Sequence, residues 1–283
     1  MSRRGSATAP LVPARPLERV AIVEWAARLG AITAGALAQR ARITVVSARA
    51  MLAGAERAGL LRRASPLRGS EALYTATRAG LRAVGLGALG PCRVSASNAA
   101  HLTAVAAVAA ALERAYPDHV VAGERELRRD EAELELLIAS ARLRACGRRG
   151  RSWHRPDLVL WPPEREALPT VIEVELTVKA PRRLEEICRA WARARCVAGV
   201  VYAAPAPVER ALERAIARAD ADERIVVVPL EAVIAAPAPG AMPAARAHVG
   251  TPTPTPEAGA RLATRTREPS QGARTVDLGG SIS

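Results

Sequence analysis

Apolar positions in the first third of the chain recur at helical spacing and stop at glycines. Leu17, Val20, Ala21, Val23 and Ala27 lay a nearly continuous apolar stripe up to Leu29, and Gly30 follows as a stop, which predicts a first helix. Thr33 can cap a short second helix through Arg40, and a turn over Ala41 to Ile43 leads into a third from about Thr44 to Ala58, closed by Gly59. The pattern then changes. Leu60 to Arg63, a polar loop Ala64 to Ser70 containing Pro66 and Gly69, and Leu73 to Thr77 predict a two-stranded hairpin, with a helix following from Arg78 to Val84. Further on, Asn98 to Tyr116 is an Ala-rich helix. PDLVLWPPEREALPTVIEVELTVK, from Pro156 to Lys179, gives a strand, a Pro-rich turn and a second strand with period-two alternation. A helix from near Pro181, a buried strand Val197 to Ala203, a helix Val208 to Arg218 and a strand Ile225 to Leu230 complete an α/β unit with helices on a small mixed sheet.

Two composition shifts divide these elements. Gly80 to Ser97 is rich in glycine and marks a boundary, and Ala235 to Ser283 carries APAPGAMPAA and TPTPTPE, which cannot bury enough surface to fold. The expected organisation is α/β in two domains, 17–93 and 98–235, followed by a disordered C-terminal tail, 236–283.

Composition excludes several classes. No apolar run approaches the ~20 residues of a membrane span, and the first fifteen residues lack the apolar stretch of a secretory signal, so no membrane partner and a cytoplasmic location are expected. Cys92, Cys146, Cys188 and Cys196 form no C-x-x-C pair and read as small buried hydrophobes. The net charge of +13 is concentrated: residues 1–93 hold 15 Arg against 4 Glu, whereas residues 94–245 hold 21 basic and 21 acidic residues. Such asymmetry points to a polyanion partner, and the segment lacks the aromatic-anchored amphipathic helix an acidic membrane surface would call for.

The N-terminal order of helix, turn, helix and hairpin resembles a winged helix-turn-helix, which implies double-stranded DNA as the partner. Thr44, Ser47 and Arg49 then lie at the start of the third helix, where base edges are read, and Arg62, Arg63 and Arg68 on the wing meet phosphates. A homodimer of such units would require a palindromic site. A winged helix used for protein contact is the competing reading.

The second unit carries the candidate chemistry. Alternation places Glu173, Glu175, Thr177 and Lys179 on one face of an otherwise apolar strand, and Asp157 opens the strand before it. Charged groups on such a strand are costly unless solvated, paired or bound to metal. Lys179 is the only lysine among 41 basic residues, which singles it out where a compact ammonium is needed. Carboxylates converging with a lysine are what hydrolysis of a phosphodiester with Mg²⁺ or Mn²⁺ requires.

Pro156-Asp157, then Glu173-Val174-Glu175 and Lys179, resembles the PD-(D/E)XK nuclease-like fold. The longer span of about residues 17–235, with His101 on the Ala-rich helix, GEREL from Gly123, RPD and IEVELTVK, resembles the replication-relaxation family of actinobacterial and plasmid proteins. That resemblance implies DNA binding in plasmid or mobile-element replication or transfer, with replication or transfer proteins as further partners. It also implies Asp157, Glu175 and Lys179 as catalytic residues and Asp157, Glu173, Glu175 and Glu124 as metal ligands. His101 reads as structural, and Glu124 equally as a solvated acid favoured by the helix dipole.

One departure matters. The family pattern sets the lysine two residues after the acid, where this chain has Glu175; Lys179 comes four residues later, about 13 Å along an extended strand. It reaches the acids only if the strand ends or bulges near Thr177, as Ala180-Pro181 permits. Two outcomes stay open: a metal-dependent endonuclease, or a non-catalytic DNA-binding regulator whose acids pair with Arg182 or Arg183. A relaxase or topoisomerase is not expected, because the three tyrosines, Tyr74, Tyr116 and Tyr202, come without a histidine cluster.

Overall fold

The computed structural model describes residues 18–143, 153–164 and 166–235; the expected tail, Leu17 and Cys146 lie outside them. The chain is a mixed α/β protein. Helix α1 (Arg19–Leu29) ends at Gly30, whose φ of 94° needs a residue without Cβ. Thr33 caps α2 (Ala34–Ala41) by accepting a hydrogen bond from Ala36 N at 3.1 Å, and Thr44 caps α3 (Val45–Arg57) in the same way from Ser47 N, also at 3.1 Å. Strands β1 (Leu61–Ala64) and β2 (Leu73–Ala76) form the antiparallel hairpin. Ile32 in the α1–α2 turn adds a bridge to Tyr74, giving β2 a partner on its other side. A short helix α4 (Arg78–Ala83) follows.

Helix α5 (Ala99–Ala115) leads to a five-stranded sheet in the order β3 (Val120–Gly123), β6 (Leu158–Trp161), β7 (Thr170–Val174), β8 (Gly199–Ala204), β9 (Ile225–Pro229). The first three strands run antiparallel, and β7, β8 and β9 are parallel. Helix α6 (Glu124–Leu134) follows β3, and β4 (Ala141–Arg142) pairs with β5 (Trp153–His154) as a separate hairpin. Helices α7 (Pro181–Arg193) and α8 (Ala206–Ala219) are the crossovers between parallel strands, and α9 (Leu230–Ala235) closes the described chain.

The sheet separates two cores. On one face Val159, Val171, Val200 and Tyr202 pack with Leu184, Trp191 and Leu212 of α7 and α8. On the other, Leu158, Ile172 and Val174 meet Val108 and Leu112 of α5, and the same core continues through Leu37 of α2 to Ile22, Trp25 and Leu52 of α1 and α3. The 17–93 segment therefore shares a core with the sheet. Polar contacts reinforce the junction: Trp25 Nε1 donates to Glu113 at 2.8 Å, Gln39 Nε2 to the Ile234 carbonyl at 2.7 Å, and Arg28 to Glu126 at 2.9 Å and to the Val121 carbonyl at 3.2 Å. Burial alone would lower the Arg28 pKa, but the carboxylates of Glu126, Glu113 and Glu24 together outweigh it and hold the group above its ordinary value.

Among the described residues no helix is long and apolar enough to cross a membrane. Of the cysteines, Cys188 is buried, its thiol pushed up to about 12 by burial, whereas Cys92 and Cys196 are half-buried.

Candidate functional site

The N-terminal unit presents a basic surface. The first turn of α3 has no acidic residue, and Thr44, Val45, Val46, Ser47, Arg49 and Ala50 are all exposed, because Ala48, Leu52 and Ala55 supply the face turned inward. Thr44 and Ser47 are bound to each other, their hydroxyls 2.9 Å apart, with the cap leaving Arg49 and the valines facing out. Arg62 and Arg63 on β1 and Arg68 in the loop after it are exposed as well.

The acids gather at one end of the interior strands β6 and β7. Strand β7 ends at Val174, one residue before Glu175, although the Glu175 amide still donates to the Ala203 carbonyl at 3.1 Å. The chain bends at Thr177, so the period-two expectation through Lys179 fails there, and the lysine folds back to hydrogen-bond the Glu175 carboxylate. The strand's ending thus removes the 13 Å separation.

Each acid already has partners. Asp157 accepts the Val174 amide at 2.8 Å and lies 2.9 Å from His101 Nε2. Glu173 is buried, accepts from Trp191 Nε1 at 3.2 Å and lies 2.7 Å from His154 Nε2 on β5. Burial pushes the Glu173 carboxyl up, against the opposing pull of His154. The expected partners Arg182 and Arg183 are not those of these three acids; Arg183 binds Glu186. Glu124 sits apart: its amide donates to the Asp157 carbonyl at 3.0 Å, but its carboxylate turns outward to Arg128. Tyr202 is fully buried beside Glu173, and burial drives its phenol well above the ordinary value.

Among the described residues no three His, Cys, Asp or Glu side chains are grouped to hold a metal ion. Each of Asp157, Glu173 and Glu175 is engaged by histidine, lysine or tryptophan. As arranged, Asp157, Glu173, Glu175 and Glu124 do not fit Mg²⁺ or Mn²⁺, which take several free oxygens in a near-octahedral shell. Sequence reasoning missed His154 as a partner of the acids and read His101 as structural without naming Asp157. In both cases the contact joins residues far apart in the chain, and spacing carries no sign of it.

The hydrogen bond to Asp157 raises the His101 pKa above 6.5, with burial opposing it. This pair stabilises the fold fully below the unfolded value of about 6.5, and the contribution is lost as pH rises through the higher folded value. An NMR titration of the histidine resonances is expected to find His101 titrating above an ordinary histidine, and Asp157→Asn should bring it down. An unmoved His101 would remove the pair.

Comparison with models of protein families, with curated proteins and with solved structures gives no match to this chain.

Proposed function

We propose that this chain binds double-stranded DNA through α1 to α4 and the β1–β2 hairpin. In this reading α3 enters the major groove and the hairpin is the wing of a winged helix. The observation that carries it is the exposed first turn of α3, free of acid, in the same unit as the exposed Arg62, Arg63 and Arg68 of the hairpin. The Ile32–Tyr74 bridge also supports it, by fixing the wing to the turn ahead of α2.

The two antiparallel and two parallel pairings of the sheet, with Asp157, Glu173 and Glu175 at one end of its interior strands, are in keeping with a PD-(D/E)XK-like fold and the replication-relaxation resemblance. The engaged acids favour the regulator or replication-accessory role over cleavage. A role in plasmid or mobile-element replication or transfer, beside replication or transfer proteins, rests on that resemblance.

Replacing Arg62, Arg63 and Arg68 together by alanine is expected to weaken binding to a random-sequence duplex about 10- to 100-fold at low salt. The slope of log K against log salt should fall by about 3, roughly one per phosphate contact. Fluorescence anisotropy across a salt series reads both quantities. Wild-type protein that binds no duplex, or a triple variant that binds as well, sinks the proposal. In parallel, supercoiled DNA with Mg²⁺, Mn²⁺ or EDTA should stay uncut. Metal-dependent nicking lost in Asp157→Ala and Lys179→Ala would instead favour the endonuclease.

A further inference from the structure

The exposed face of α3 has an unusual chemical inventory for a helix that reads base edges. Its sequence, VVSARAMLAGAER, contains no asparagine or glutamine, the residues that pair bidentately with adenine. The polar groups of its first two turns are Ser47 and Arg49, and Ser47 is engaged with the Thr44 cap. What it presents instead is apolar. Val46 is 73% exposed and Val45 38%, the former the most exposed large hydrophobic side chain among the described residues. Val46, Arg49 and Ala50 follow at three- and four-residue spacing and so share one face of the helix.

Leaving a β-branched hydrocarbon in water at the first turn of a helix contributes nothing to this fold, because Ala48, Leu52 and Ala55 make the packed side. An apolar partner would shield it, and the basic charge of the unit points to the setting of that partner. Arg42, three residues before Val45, and Arg49, three after Val46, are exposed, as are Arg62 and Arg63 on β1, and the first turn of α3 carries no acid. A polyanion that displays apolar groups in a groove wide enough for a helix meets both conditions. In B-DNA those groups are the 5-methyl groups of thymine.

We infer that Val46, assisted by Val45, selects thymine in the major groove by contact with its 5-methyl group, while Arg49 takes the acceptor edge of guanine. This rests on the DNA-binding proposal above and adds the base that α3 prefers. Removing the methyl, as uracil does, leaves every hydrogen-bonding atom of the pair in place, so the contact is separable from the rest of the interface.

The test begins with full-length protein and a random-sequence duplex pool. Rounds of retention give an enriched sequence, and each thymine in it is then replaced singly by deoxyuridine. At one or two positions the substitution is expected to weaken binding about fourfold, the transfer value of one methyl group. Val46→Ser should bind the thymine and uracil duplexes equally. Leu136→Ser, which alters a leucine 45% exposed just after α6 and outside the DNA-binding elements, should keep the wild-type preference. Enrichment of sequences whose thymines are all indifferent to uracil would overturn the inference and leave the DNA-binding proposal standing. A Val46→Ser variant that keeps the methyl preference but changes oligomeric state in sedimentation would also overturn it and assign the valines to a protein contact. Failure to retain any duplex would overturn both.

Discussion

Gly80→Ala is expected to destabilise the protein by about 3 kcal/mol, the upper range for forcing extra volume into packed surroundings. A Cβ at this position would lie 2.1 Å from the Leu60 carbonyl oxygen and 3.0 Å from its carbon, with Val23 Cγ1 at 3.1 Å. The obstacle is backbone, which cannot rotate aside as a long side chain would. Thr77 tightens the site further: its amide donates to the same Leu60 carbonyl at 3.0 Å, and its hydroxyl accepts the Gly80 amide at 3.0 Å. Helix α4 would have to move away from both the hairpin and α1. Thermal unfolding should show the midpoint lowered by about 6–12 °C for a chain of this size. Gly54→Ala provides the opposite sign. In the middle of α3 its Cβ would meet only a guanidinium nitrogen of Arg57 at 4.0 Å, so alanine should add about 0.5–1 kcal/mol through helix propensity. An unchanged midpoint for Gly80→Ala would mean that α4 does not lie on Leu60 as described.

The second large effect belongs to a carboxylate outside the candidate site. Glu131 is buried on α6 and accepts four hydrogen bonds: from the amides of Ile138 and Ala139 at 3.1 and 3.4 Å, from the Ser140 hydroxyl at 2.8 Å and from Arg155 Nε at 3.1 Å. Glu131→Ala leaves a guanidinium and two amides without their acceptor in a place water reaches poorly. Removing one partner of such a group costs about 3–5 kcal/mol. Glu131→Gln, which keeps an acceptor oxygen without the charge, should recover part of this. Denaturant unfolding measures both, and a loss under about 1 kcal/mol for alanine would show that the network contributes little. The damage should also spread locally. Ser140 precedes β4 and Arg155 follows β5, so Glu131 secures both strands at the open end of the pair that brings His154 to Glu173.

How much of this could be read from the chain depended on which force fixed each element. Helices α1, α2 and α3 were legible because Gly30, Thr33, Thr44 and Gly59 punctuate them and their apolar stripes face a core. Strands β6, β8 and β9 were legible as short apolar runs. Only the start of α6, at Glu124, was legible; its extent was not, because its buried face includes Glu126, Asp130 and Glu131, and a face of paired charges leaves no hydrophobic period. Strands β4 and β5 have two residues each, too few to show alternation. The end of β7 was legible only as an option that Ala180-Pro181 permits, because alternation continues through Lys179 and the chain's bend at Thr177 on its way to α7 stops the strand. In the candidate site the acids and Lys179 were legible as chemical types at suggestive spacing. Their partners were not, since His101 lies 56 residues from Asp157 and His154 lies 19 from Glu173. Contacts of this kind are products of topology.

The core shared between α1–α3, α5 and the sheet has a mechanical consequence. With Trp25, Leu37, Leu112 and Ile172 in one continuous apolar mass, there is no hinge about which the N-terminal helices and the sheet could turn independently. Whatever α3 grips, the end of the sheet that carries Asp157 is held at a fixed bearing from it. A shorter chain ending before α5 would strip the N-terminal helices of an apolar wall, so that this protein is expected to resist dissection into separately soluble halves.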